Sequence, residues 1–231
     1  MELTEAELDK EISQLIKYTN YRMSEWYVKV RPHLRVKVLN QHDELRHEIC
    51  KCMVFGLWHA SITATNHLLE RFIKYSLIEH EADFEKIESI EFFDTVDFVV
   101  SKYDGKTLEF TINAACTLGI ITRDEKKKLI KFKDKFRNAY SHAETKKMFK
   151  DEPPVPVRLD HLGNIDIEKK TGNILAENCL PWHGQMLEDI AKRDCFEYFE
   201  AVDNIIIRIE FEKNPELLNY NGLKWVDRPK N

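Results

Sequence analysis

Residues 107–142 read Thr107-Leu108-Glu109-Phe110-Thr111-Ile112-Asn113-Ala114-Ala115-Cys116-Thr117-Leu118-Gly119-Ile120-Ile121-Thr122, then Arg123-Asp124-Glu125-Lys126-Lys127-Lys128-Leu129-Ile130-Lys131-Phe132-Lys133-Asp134-Lys135-Phe136-Arg137-Asn138-Ala139-Tyr140-Ser141-His142. Thr107 to Leu118 has the apolar spacing of a helix, and Gly119 stands where a left-handed residue would close it. Thr122 with Glu125 three residues later forms a capping box, which opens a second helix with Leu129, Ile130, Phe132 and Phe136 on its apolar side. Successive helices of this kind point to an all-α domain.

Working outward, Thr4 with Glu7 is another capping box, and the apolar spacing that follows predicts a first helix from about residue 5 toward 30, with Pro32 ending it or beginning a short linker. From Asp43 the positions Leu45, Ile49, Met53, Leu57, Ala60, Ala64, Leu68 and Phe72 predict one long helix to about Ile78. Its middle, Gly56 to Thr65, is rich in small residues and suits close packing against a neighbour. Phe92 to Tyr103 predicts another helix, followed by an Asp104-Gly105 turn. Residues 151–185, with Pro153-Pro154, Gly163-Asn164, Gly172-Asn173 and Pro181-Trp182, predict an irregular or partly β insertion. A last helix is expected over about 186–211. The expectation is one all-α domain over 1–231, with a core from about 43–150 and 186–212.

Composition supports this reading. The chain has 231 residues, 43% hydrophobic and 32% charged, with only 7 Gly and 7 Pro, as suits long helices rather than many β turns. The acidic start lacks the apolar stretch of a signal peptide, and no apolar run approaches the roughly 20 residues that span a bilayer. The five Cys (Cys50, Cys52, Cys116, Cys179, Cys195) are odd in number and scattered, which predicts neither disulfides nor a zinc knuckle and fits a reducing cytoplasm. In a helix Cys50 and Cys52 point to different sides.

The formal charge of −5 conceals an asymmetry. Residues 123–150 hold 11 Lys or Arg against 4 Asp or Glu, a local +7, so the remainder carries −12. Such a patch attracts a polyanion, although a solvated helix face has the same composition.

Arg137, Asn138 and His142 gather a guanidinium, an amide and an imidazole near the end of this basic helix. The spacing alone says little: with 11 Arg and 9 His in the chain, about 0.4 Arg-x4-His pairs arise by chance, and Arg35 to His42 is a longer-gapped decoy. The setting says more. The apolar helix, the Lys-rich amphipathic helix and the motif in this order resemble the HEPN superfamily, all-α domains with an Arg-x4-6-His signature in which Asn often follows the Arg. The resemblance is motif-specific over about Leu108 to Met148, architectural over Asp43 to Leu108, and absent from the C-terminal third. It implies an up-and-down helical bundle and a metal-independent RNA endonuclease of toxin or antiviral type, with the active site built across a homodimer and an antitoxin or regulatory protein as a further partner. One departure is Glu144, where toxins modified on tyrosine carry Tyr.

Cleaving RNA without a metal needs a base for the 2′-hydroxyl, an acid for the departing 5′-oxygen and positive charge at the phosphorane. His142 suits proton transfer, Arg137 offers a planar fork to phosphate oxygens, and Asn138 can orient the imidazole or donate to the phosphate. On a continuous α-helix Asn138 and His142 lie about 40° apart, whereas Arg137 and His142 differ by about 140°. Tyr140, Ser141, Lys133 and Lys146 are the expected substrate contacts. Glu70 reaches the motif if the second helix packs against it, burial at the core rim being the structural alternative. One His per chain does not readily serve as both base and acid, which is what a facing second motif in a dimer would remedy. In the structural reading Arg137 pairs with an acidic neighbour such as Asp134 or Glu144, and His142 caps the helix. His42, His47, His59, His67 and His80 have no convincing third ligand, so neither metal nor cofactor is expected; His42 and Glu48 read as a helix-surface pair. His161 and His183 sit in the insertion. A catalytically silent HEPN module that binds nucleotide, RNA or a protein partner is the alternative function.

Overall fold

A computed structural model describes residues 10, 13, 23–38, 41–82, 90–138, 149, 155–159, 165–166, 172–174 and 183–221. The first capping box, Tyr140, Ser141, His142, Glu144, Lys146 and His161 lie outside the described residues. Helix α1 occupies 23–35, followed by α2 (Asp43–Val54), α3 (Trp58–Ala82), α4 (Ile90–Tyr103), α5 (Leu108–Thr117) and α6 (Arg123–Phe132). The last of these runs on as a π-helical turn, Lys133–Asn138. Three short strands follow, β1 (Val155–Leu159), β2 (Ile165–Asp166) and β3 (Gly172–Ile174), then α7 (His183–Lys213) and α8 (Glu216–Tyr220). The fold is an all-α bundle, and the insertion carries a small antiparallel sheet in the order β2-β1-β3, with Arg158 opposite Asp166 and Val157 opposite Gly172.

Helix α3 is the central strut, packed by α2, α4, α5, α7 and the π turn. Ile62, Leu68, Phe72, Ile73 and Leu77 are fully buried along it. They join one apolar cluster running from Trp26 and Val30 of α1, through Tyr198, Phe199, Val202 and Ile206 of α7, to Leu217 of α8. Ser61 and Thr65, in the small-residue stretch, are likewise fully buried, and the Thr65 hydroxyl donates to the Ser61 carbonyl at 2.8 Å.

Four expectations are corrected. The single helix from Asp43 to Ile78 is two, because Gly56 adopts φ 76°. There Leu57 N–H donates to Cys52 O at 2.8 Å and Gly56 N–H to Met53 O at 3.1 Å, the paired bonds of a Schellman stop. Helix α1 runs past Pro32 to residue 35. Pro32 is exposed, and so is Val28, whose carbonyl the proline leaves without its helical donor, so water can take its place. The C-terminal helix extends to Lys213, and the short α8 was not anticipated. His42 is buried rather than on the surface, edge-on to the rings of Phe72 and Tyr75 at 5.4 and 5.8 Å. Burial, reinforced by the charges of Arg71 and Arg46, pulls its ring down to about 4.

A buried ionic knot joins three helices. Arg46 of α2 donates from Nε to Asp203 Oδ1 of α7 at 2.5 Å and from Nη2 to Oδ2 at 3.2 Å. The His33 ring of α1 lies 2.6 Å from Asp203 Oδ2. Arg46 Nη1 also donates to Asp43 at 2.6 Å and to the Val36 carbonyl at 3.1 Å. Burial disfavours the Asp203 carboxylate, but the His33 and Arg46 hydrogen bonds outweigh it and hold the group below the usual range.

Asp203→Asn leaves the buried guanidinium of Arg46 with Asp43 as its remaining carboxylate among the described residues, and urea melts at pH 7 should show a loss of up to about 3–5 kcal/mol. Because the folded carboxyl sits below the unfolded value of about 3.9, its contribution is complete above that value and disappears as pH falls through the folded one. His42 is also depressed: its neutral form stabilises the fold fully above pH 6.5, and stability declines by up to about 3 kcal/mol as pH drops toward 4. Melts of His42→Phe from pH 7 to 4.5 should be flatter than those of the parent.

Candidate functional site

The observed capping box starts α6: Thr122 Oγ1 accepts from Glu125 N–H at 3.2 Å, and Glu125 Oε2 accepts from Thr122 N–H at 2.7 Å. Arg208 of α7 then grips Glu125 through Nε and Nη2, both at 2.8 Å, and donates to the Ile120 carbonyl at 3.0 Å. At the other end Phe132, Phe136 and Tyr198 stack, with Tyr198 centroids 4.8 and 5.2 Å from the two Phe rings. The Tyr198 hydroxyl donates to Asn66 Oδ1 of α3 at 2.8 Å. Burial pushes that hydroxyl upward, against the opposing field of Arg137.

Between these anchors the helix widens into the π turn, where alternate cations reach three different helices. Lys133 Nζ lies 2.5 Å from Glu109 of α5 and 3.1 Å from Asp134. Lys135 Nζ lies 2.8 Å from Asp194 of α7, and Arg137 Nη2 lies 3.6 Å from Glu70 Oε2 of α3. The other Glu70 oxygen is 3.6 Å from Lys74 Nζ. Burial opposes the charge on Lys133, but its hydrogen bonds to Glu109 and Asp134 raise it above the usual lysine range. Desolvation likewise disfavours the Asp194 carboxylate, while Arg193 and Lys135 hold it low.

Set against the expected site, Arg137 stands half-buried at the rim with Glu70, so the acidic neighbour is contributed by α3 rather than by Asp134. Lys133 is corrected as a substrate contact: its ammonium is turned inward and occupied by two carboxylates. The angles of a continuous α-helix do not apply at Arg137 and Asn138, which lie in the π turn. Exposed cations lie further upstream, where Arg123, Lys127, Lys128 and Lys131 line the outer side of α6. Asn66, Lys74 and Tyr198 went unforeseen. The trace of Asn66 and Lys74 in the sequence is the polar step Asn66, Glu70, Lys74, four residues apart along α3.

Among the described residues no group of three or more His, Cys, Asp or Glu is placed to hold a metal ion, and no helix is long and apolar enough to cross a membrane. No protein-family model, curated protein or solved structure matches this chain.

The stack makes the placement of Arg137 depend on Phe136, which is fully buried. Phe136→Ala should cost about 3–5 kcal/mol in denaturant melts and loosen the π turn, read as faster amide hydrogen exchange over 133–138.

Proposed function

We propose that this chain is a metal-independent RNA endonuclease of the HEPN type, acting as a toxin or antiviral effector. In this reading the 2′-hydroxyl attacks the adjacent phosphate, leaving a 2′,3′-cyclic phosphate and a 5′-hydroxyl. Arg137 holds the phosphate oxygens, His142 transfers a proton, Asn138 orients the imidazole or donates to the phosphate, and Tyr140, Ser141 and Lys146 contact the strand.

The observation that carries the reading is the position of Arg137. It sits half-exposed at the end of a helix whose outer side presents Arg123, Lys127, Lys128 and Lys131, and its carboxylate neighbour stands at 3.6 Å, beyond good hydrogen-bonding distance. A strand drawn along the exposed cations would arrive at a guanidinium whose carboxylate partner among the described residues stands at 3.6 Å. A homodimer would join two such strips into one groove, and an antitoxin could cover it. The second reading, a silent module that binds RNA, nucleotide or protein, draws on the same pair: Glu70 already neutralises Arg137.

Purified protein incubated with structured and unstructured RNA in EDTA should cleave, with 2′,3′-cyclic phosphate ends. Arg137→Ala and His142→Ala should each reduce the rate by about 10²-fold or more. Cleavage that survives both substitutions, or that requires a divalent ion, would refute the assignment, and binding without cleavage would select the silent module. Lys128→Glu with Lys131→Glu should weaken RNA binding and reduce its salt dependence by about one unit of slope per lysine.

A further inference from the structure

Transesterification needs two proton-transferring groups, and the Arg137–His142 motif contains a single imidazole. Glu70 of α3 is the carboxylate that stands beside Arg137. Its Oε2 is 3.6 Å from Arg137 Nη2 and its Oε1 is 3.6 Å from Lys74 Nζ, so the carboxylate faces two cations without a tight hydrogen bond to either. The side chains of Glu70 and Arg137 are 27% and 32% exposed, enough for a nucleotide to approach from solvent. Lys133 and Lys135, by contrast, are held by carboxylates at 2.5 to 2.8 Å. The pair is also held from behind. Tyr198, packed under the π turn, bonds to Asn66 one helical turn before Glu70 on α3, which ties the helix bearing the carboxylate to the turn bearing the guanidinium.

Resting on the nuclease reading above, we propose that Glu70 is the general base of this site. A phosphate gripped by Arg137 brings the neighbouring ribose 2′-hydroxyl within reach of Glu70. The carboxylate takes the hydroxyl proton, the 2′-oxygen forms a bond to phosphorus, and the bond from phosphorus to the 5′-oxygen breaks. The leaving oxygen receives its proton from the His142 imidazolium. Glu70 ends protonated and His142 neutral, and exchange with water restores both. One chain then carries both base and acid, and a second imidazole from a partner copy is no longer required for proton transfer. Lys74 and Arg137 flank the carboxylate, and Arg137 also meets the phosphorane charge.

The competing role for Glu70 is a latch that occupies Arg137. The two roles predict opposite outcomes for Glu70→Gln, since freeing a latch raises phosphate binding whereas deleting a base removes turnover. Single-turnover cleavage of a short RNA, followed from pH 4.5 to 8 for the parent, Glu70→Gln and Glu70→Asp, separates them. The expected result is a fall of about 10²–10⁴-fold for Glu70→Gln with RNA affinity nearly unchanged, loss of the rising acidic limb of the profile, and partial activity in Glu70→Asp. Glu70→Gln that cleaves as fast as the parent or faster, or that slows while keeping the same profile shape, overturns the assignment while leaving the nuclease reading standing. A parent protein that cleaves no RNA removes both.

Discussion

A carboxylate that has lost all its water must be answered by donors placed around it, and Asp203 imposes that demand on this fold. It is fully buried on α7, so its charge persists only because Arg46 and His33 stand within 2.5 to 2.6 Å of it. Those partners come from α1 and α2, which lie about 160 residues away in the chain. Meeting them sets both the rotation and the axial position of the 31-residue α7 against the N-terminal half. A slip of one residue would turn Asp203 by about 100° and break its bonds to both Arg46 and His33.

The register of α7 then places the candidate site. Tyr198 lies five residues before Asp203 and stacks beneath Phe132 and Phe136, and Arg208 lies five residues after it and grips the Glu125 of the capping box. Helix α6 and its π turn are thus held at both ends by the same neighbour. The ion pairs of Lys133, Lys135 and Arg137 to α5, α7 and α3 add direction more than energy, since partly exposed pairs contribute about 0–1 kcal/mol each. Their consequence is a division of the basic segment. Cations next to the motif are engaged by carboxylates, tightly at 133 and 135 and loosely at 137, while Arg123, Lys127, Lys128 and Lys131 meet solvent. The local +7 in the sequence is therefore only partly available to a polyanion.

This division bears on the chemistry. A guanidinium with a carboxylate at 3.6 Å is poised differently from one in a bidentate fork, because its donors can be taken by phosphate oxygens without dismantling a close pair. The same contact places the Glu70 carboxylate beside that guanidinium. Guanidinium, carboxylate and ammonium at one rim come from α3 and the π turn, and the Tyr198–Asn66 bond between α7 and α3 keeps them in register.

What the residues determined unaided were features written within a few positions of one another. The capping box at Thr122 and Glu125 and the Gly119 stop appear as read, because each is closed by bonds between neighbours in the chain; Thr107, read as helical, is instead the cap of α5. Gly56 carried the same stop signal, but continuous apolar spacing across it masked a left-handed turn that its hydrogen bonds make plain. The helical class and the different burial of Cys50 and Cys52 were legible for the same local reason, while the insertion read as irregular or partly β and carries a three-stranded sheet. Only the tertiary structure decided where polar side chains found their partners. That Lys133 turns inward to Glu109, that Arg137 meets Glu70, and that His42 is buried against Phe72 follow from how helices distant in sequence pack. Periodicity reports which face of a helix is buried. It does not report which charge from another helix will be waiting there, since that depends on the crossing and register of both.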